Sequence, residues 1–342
     1  MRIGRQTVVF DKKPSIAETA STVGKKEGEG PLADRFDTVL EDDYYGEKSW
    51  EKAESKLQKK TAQRLMEKAG ISEGDIDLIL AGDLLNQCVG THYAVRDFDI
   101  PFLGLYGACS TMAESMMIAS MLISGGMADS ALCVTSSHFC SAEKQYRFPL
   151  EYGGQRTPTA QWTVTGSGAA LLKNGGGAPY ILGATVGKVV DMGINDVSNM
   201  GAAMAPAAHS TLSALFAETG TVPNDYDLIL TGDLGHIGSD ILCDMLDKDG
   251  YNIYSRHNDC GKMIFDAKKQ DVHGGGSGCG CCGSVFCGHI FKELKSDGIK
   301  RMIVAATGAL MNPTALLQGE SIPAIAHALI ISTEENNFLK GE

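Results

Sequence analysis

Apolar positions Leu57, Leu65, Met66 and Ala69 fall on one face of an amphipathic helix that runs into Gly70 as its stop signal. A short polar loop follows, and then the continuous apolar run Ile76 to Ala81, the pattern of a strand covered on both faces. The same order returns 150 residues later. Aligned without a gap, residues 60–84 and 210–234 share eleven of 25 positions, seven of them in the last eight, around Asp77-Leu-Ile-Leu and Asp227-Leu-Ile-Leu. Convergence on a helix-then-strand layout explains a shared periodicity but not that run of identities, so the two halves read as copies of one α/β unit.

The rest of the chain fits this plan. Pro101 to Gly107 reads as a strand, Ser110 to Ser124 as a helix ending at Gly125-Gly126, and Ser130 to Thr135 as a buried strand. The resulting βαβ pattern predicts a parallel or mixed sheet covered by helices. Val164 to Leu172 resumes as a strand of small residues, Ile181 to Val190 opens the second copy, and Met302 to Thr307 closes it. The halves divide as 1–175 and 176–342. Residues 24–50 are charged and read as a surface insertion, and residues 138–162, with Pro149, Pro158 and Gly153-Gly154, read as a long excursion.

With 42 acidic and 30 basic residues the net charge is −12, and no basic run offsets it, so nucleic acid is not an expected partner. The longest apolar stretches, such as Met116 to Ile123, fall short of the ~18 residues that span a bilayer. The N-terminal residues lack the apolar core of a signal peptide, which predicts an intracellular chain whose ten Cys residues are thiols.

One of those thiols is placed for chemistry. Leu105-Tyr-Gly-Ala-Cys-Ser-Thr sets Cys109 at a strand-to-helix junction, where unpaired N–H groups and the helix dipole favour a thiolate or hold a carboxylate. The plain alternative is a small core residue beside Gly107 and Ala108. Gly107-Ala-Cys-Ser, the helix to Gly126 and Thr165-Gly-Ser-Gly-Ala-Ala-Leu-Leu together resemble the first half of the thiolase and ketoacyl-synthase superfamily. That resemblance implies a duplicated, layered α/β/α/β/α fold with two mixed five-stranded sheets, with Cys109 in the acyl-accepting position. It also implies a His and an Asn from the second half. At the His position stands Gly232; His236 comes a few residues late, and 273–284 has no Asn, leaving His273 as the substitute. An incomplete catalytic set shifts weight from condensation to binding.

Over longer stretches, from Gly107 to Leu172 and through HGGGSGCGCCGS at 273–284, the chain resembles stage V sporulation proteins of spore-forming bacteria. This implies binding of dipicolinic acid (pyridine-2,6-dicarboxylate), with calcium accompanying it and no other cofactor, and a role in its uptake into the developing spore. It further implies a homodimer, peripheral on the spore inner membrane beside integral membrane proteins of the same transport complex. The expected ligand contacts are Cys109, Ser110, Lys144, Arg147, Arg156, His236 and His273, with the helix N-terminus and the excursion's cations facing the two carboxylates. A Cys109-dependent acyltransferase or thioesterase is the alternative, and a purely structural subunit a third.

Other motifs read as structure. Cys279, Cys281, Cys282 and Cys287 lack zinc-site spacing and read as small residues in a packed turn and strand, with no metal expected. Asp83 and Asp233, at equivalent strand ends, read as backbone caps. Met112, Met116, Met117 and Met121 form a core stripe.

Overall fold

The structure is a computed structural model and describes residues 1–146, 156–335 and 339. Its first part contains β1 (Thr7–Val9), β2 (Ser15–Val23), β3 (Thr38–Val39), α1 (Trp50–Ala69), β4 (Leu78–Gly82), α2 (Val89–Val95), β5 (Phe102–Gly104) and α3 (Thr111–Ser124). It continues through β6 (Ser130–Ser137), α4 (Phe139–Tyr146), β7 (Trp162–Thr163) and β8 (Gly166–Lys173). The second contains β9 (Tyr180–Thr185), α5 (Met200–Thr219), β10 (Leu228–Thr231), α6 (Gly235–Lys248), β11 (His257–Asp259) and α7 (Cys260–Met263). After these come β12 (Gly276–Ser277), α8 (Cys279–Val285), β13 (Arg301–Ala309) and β14 (Ala324–Ser332).

Each half supplies five strands in the same arrangement. The first set runs β2-β8-β6-β4-β5 and the second β9-β14-β13-β10-β11, parallel and antiparallel pairs mixed in both. The two sets meet at one register pair, Ser15 with Tyr180, which joins them into a single sheet.

Period-two alternation sorts each strand's side chains into layers. Leu80, Cys133 and Leu172 from the first set, and Leu230, Val304 and Leu329 from the second, enter one central core with Met112, Met116 and Met117 of α3 and Cys281, Cys282 and Val285 of α8. Their neighbours Ile79, Leu132 and Leu171 point outward onto α1, and Ile229, Ile303 and Ile330 outward onto α5. The layers are therefore α/β/α/β/α. Met121 packs against the central core, completing the expected stripe.

The duplicated aspartates do the same work in each copy. Asp75 and Asp225 accept from the N–H groups of Ser72 and Val222, both at 2.8 Å. Asp77 receives the N–H groups of Asp129 and Ser130, as Asp227 does those of Lys300 and Arg301. Gly70 and Gly220 end α1 and α5 in the left-handed region, at φ 64° and 70°.

Four local expectations are corrected. The strand expected over Pro101 to Gly107 spans only Phe102–Gly104, and the one expected over Ile181 to Val190 stops at Thr185. Residues 24–50 are not merely surface: Leu32 and Phe36 enter the central core, and Glu27 is buried with its carboxylate accepting from the Thr165 N–H at 3.0 Å. The Cys279 to Cys282 run is helix rather than turn and strand. Its glycines let it lie on β8, where a Cβ on Gly168 would stand 2.0 Å from the Gly283 carbonyl oxygen.

Candidate functional site

The turn that carries Cys109 is built under constraint. Ala108 takes a left-handed conformation, φ 50°, which a side chain disfavours. Gly308 of β13 passes so close beneath that a Cβ there would lie 2.5 Å from the Gly107 carbonyl oxygen. Ser110 is buried, and its hydroxyl turns back to the Gly107 carbonyl at 2.7 Å. A 3-10 turn, Ala108–Ser110, then leads into α3.

The Cys109 thiol does not gain the acidity that a helix start suggests. It is buried within hydrogen-bonding reach of the Asp233 carboxylate, and burial together with that negative charge pushes it well above the usual thiol range. Asp233 is itself fully buried. It accepts from the Gly278 N–H at 2.9 Å and the Thr307 hydroxyl at 2.9 Å, while burial raises it to about 7. Asp233 is thus a cap, as expected, but one that also engages the thiol across the interface of the halves. Its counterpart Asp83 stays local, accepting from the Leu85 N–H at 2.7 Å and from Thr91 through N–H and hydroxyl, both at 2.6 Å. The thiol is held protonated beside a carboxylate, an arrangement without the cationic imidazole that activates a nucleophilic Cys.

The catalytic His position is closed as well as vacant of imidazole. A Cβ on Gly232 would meet the Ala306 Cα at 3.1 Å and the Cys282 Cβ at 3.4 Å, so a larger side chain has no room without moving β13 or α8. His236 sits at the start of α6, its N–H bonded to the Gly274 carbonyl at 2.9 Å. Burial and the nearby Lys262 hold its imidazole below the usual histidine range.

Above the turn lies a cavity of about 200 Å³. Leu84, Ala142, Met200 and Ala309 give it an apolar lining, Ala108 brings the Cys109 turn to its wall, and Tyr106, Tyr146, Thr163, Ser277 and Asn312 place polar groups around it. Its wall is tied together by the Tyr146 hydroxyl donating to the Leu84 carbonyl and lying 3.2 Å from the Tyr106 hydroxyl. Glu143, buried and accepting from the Thr163 hydroxyl at 3.2 Å, is the one charged lining residue among the described residues.

Of the residues expected at the ligand, only Cys109 and Ser110 lie together beside this cavity. Lys144 points to the surface, where it pairs with Glu51 at 2.9 Å. Arg156 and His273 converge on Asp271, at 3.3 and 2.6 Å, with the Arg156 guanidinium over the Trp162 ring. Arg147 lies outside the described residues. The expected ring of cations is therefore not assembled among the described residues: acidic partners on the surface satisfy three of the groups assigned to it. Sequence reasoning passed over the tyrosines, Glu143 and Asn312. Tyr106, two residues before Ala108, was the signal within reach.

The family model described as stage V sporulation protein AD matches residues 4–332. The chain is 46% identical over 327 residues to the stage V sporulation protein AD of Bacillus subtilis (strain 168), covering 96% of each. Among solved structures it resembles 3-oxoacyl-[acyl-carrier-protein] synthase III of Aquifex aeolicus, at TM-score 0.55 and 11% identity over 93% of this chain and 99% of that one. It also resembles a cerulenin-bound OleA of Xanthomonas campestris, at TM-score 0.60 and 13% identity over 95% and 98%. The fold is that of the condensing enzymes, and the chain belongs to the stage V sporulation protein AD family.

Proposed function

We propose that this sporulation protein binds dipicolinic acid, with calcium as its companion ion, in the cavity above the Cys109 turn and aids its uptake into the developing spore without condensing activity. The observation that carries the reading is the cavity itself. Cavities of about 150 Å³ accommodate benzene, so about 200 Å³ suits one aromatic ring with two small substituents. Tyr106 and Tyr146 offer ring faces, and Asn312, Ser277 and Thr163 offer polar groups for carboxylates. Glu143 and Asp233 make a bare dianion costly there. A companion calcium supplies the compensating charge. The expected homodimer and peripheral attachment beside integral membrane proteins at the spore inner membrane belong to this reading; no helix among the described residues is long and apolar enough to cross a membrane.

Calorimetric titration with pyridine-2,6-dicarboxylate, with and without calcium, tests it. Saturable binding lost in Ala309→Phe, which fills the cavity, supports the site; binding unchanged in that variant removes it. The alternative, a Cys109-dependent acyltransferase or thioesterase, is supported only by the shared fold. It gains if incubation with an acyl thioester leaves an acyl group on Cys109.

A further inference from the structure

We propose that Glu54 and Asp83 hold a single proton behind the cavity wall, and that its release shifts α4 and weakens occupancy of the cavity. The second half of this statement rests on the cavity reading above. Both carboxyls are fully buried. A Cβ on Gly90 would lie 3.2 Å from the Asp83 Oδ2 and 3.6 Å from the Glu54 Cδ, so they meet across that glycine. Two interior carboxyls so placed, with only the exposed His92 beside Asp83 to offset them, do not both ionise.

Hydrogen bonds decide which one keeps the proton. Asp83 accepts three donors, from Leu85 and Thr91, which favour its charged form. Glu54 accepts only hydroxyls, Ser141 at 2.6 Å and Ser136 at 3.3 Å, and burial beside Asp83 raises it to about 8. Gln58, one helical turn on, gives its amide N–H groups to the Gly82 carbonyl and the Thr91 hydroxyl, while its Oε1 is buried without a partner. A protonated Glu54 supplies the donor that this oxygen lacks. The other groups facing the pair are Glu51 with its partner Lys144, His92, Cys88, Cys279 and the cavity tyrosines Tyr106 and Tyr146.

Ser141 carries the coupling. It lies on α4 beside Ala142 and Glu143 of the cavity lining, and its hydroxyl bonds Glu54 directly. Ionisation places a second negative charge against Asp83, and the Glu54 carboxylate and α4 move apart from it together.

Infrared difference spectroscopy on the intact protein provides the test. One component of the protonated-carboxyl band at neutral pH, beside that of the equally raised Glu27, should vanish as the pH passes about 8 and be missing from Glu54→Gln, yet persist in Ser141→Ala. Dicarboxylate affinity should fall about tenfold per pH unit above that point in the wild type and stay flat in both variants. No band lost in Glu54→Gln, or a wild-type pH profile in Ser141→Ala, overturns the proposal. If no dicarboxylate binds at any pH, the cavity reading fails separately. Amide exchange over 139–146 then decides: protection unchanged as the band disappears overturns the coupling.

Discussion

Replacing Asp233 with Asn removes the charge that, added to burial, keeps the Cys109 thiol protonated, while preserving shape and one acceptor oxygen. A unit charge about 4 Å away at an effective dielectric of about 20 is worth about 4 kcal/mol, equivalent to about three pKa units. Burial of Cys109 remains and keeps its own contribution, so the thiol should drop toward, but not below, the ordinary range. Because alkylation follows thiolate fraction, its rate at Cys109 near pH 7.5 should rise by two to three orders of magnitude, about 10²–10³-fold. Iodoacetamide labelling followed by peptide mass mapping measures this, with the other eight buried cysteines as internal controls for unfolding. The Asn oxygen can still accept from the Gly278 N–H while its amide donates to a Thr307 hydroxyl turned to accept, so the stability cost should stay at or below about 1 kcal/mol. An unchanged pH–rate profile at Cys109, with the controls still protected, would refute the assignment of Asp233 as the silencing group.

Other outcomes follow from the same geometry. Glu27, Glu54, Asp233 and Asp259 are buried with values raised to about 8, 8, 7 and 6. The folded state keeps these protons after the unfolded chain has released its own near 4, so stability should fall as pH rises from about 4.5 toward 8, by about 1.4 kcal/mol per pH unit for each group still titrating. Urea unfolding at pH 5 and 7.5 checks the sign, and Glu27→Gln should flatten the slope. Gly168→Ala forces a Cβ onto the Gly283 carbonyl and should cost about 3 kcal/mol, read from the urea midpoint. Gly232→His should leave acyl transfer undetectable and lower the melting temperature, because Ala306 and Cys282 occupy the space the imidazole needs.

The duplicated helix-strand unit was legible because its aspartates and glycines are spent on backbone geometry, which only those residue types satisfy: Asp75 and Asp225, Asp77 and Asp227, Gly70 and Gly220. β2 escaped notice since Ser-Ile-Ala-Glu-Thr-Ala-Ser-Thr-Val carries few large apolar residues; its buried Thr19, Ser21 and Thr22 are admitted by tight packing rather than by hydrophobicity. α8 was misread for the converse reason. Gly, Cys and Ser are poor helix formers, but only so slim a helix can lie against Gly166 and Gly168. At the site, the position of Cys109 was readable from its turn, whereas its protonation was not, because Asp233 reaches it from the other half. Lys144 and Arg156 looked like ligand contacts through nearness along an excursion whose side-chain directions no local period fixes; Glu51 and Asp271 claim them instead.

β1 bears on how the molecule is made. Thr7 to Val9 pair with Thr185 to Gly183 of β9, and the Glu218 carboxylate at the end of α5 receives the N–H groups of Arg5, Gln6 and Thr7. β1 therefore has no docking place until β9 has been synthesised, and no carboxylate to receive its N–H groups until the end of α5 has followed. During synthesis the first half can close its own layers around β2, but the amino-terminal strand must wait, exposed, for the second. Its capture is a late step of assembly, and shortening it should leave a nascent first half able to fold while the finished chain is released with its second half unlatched.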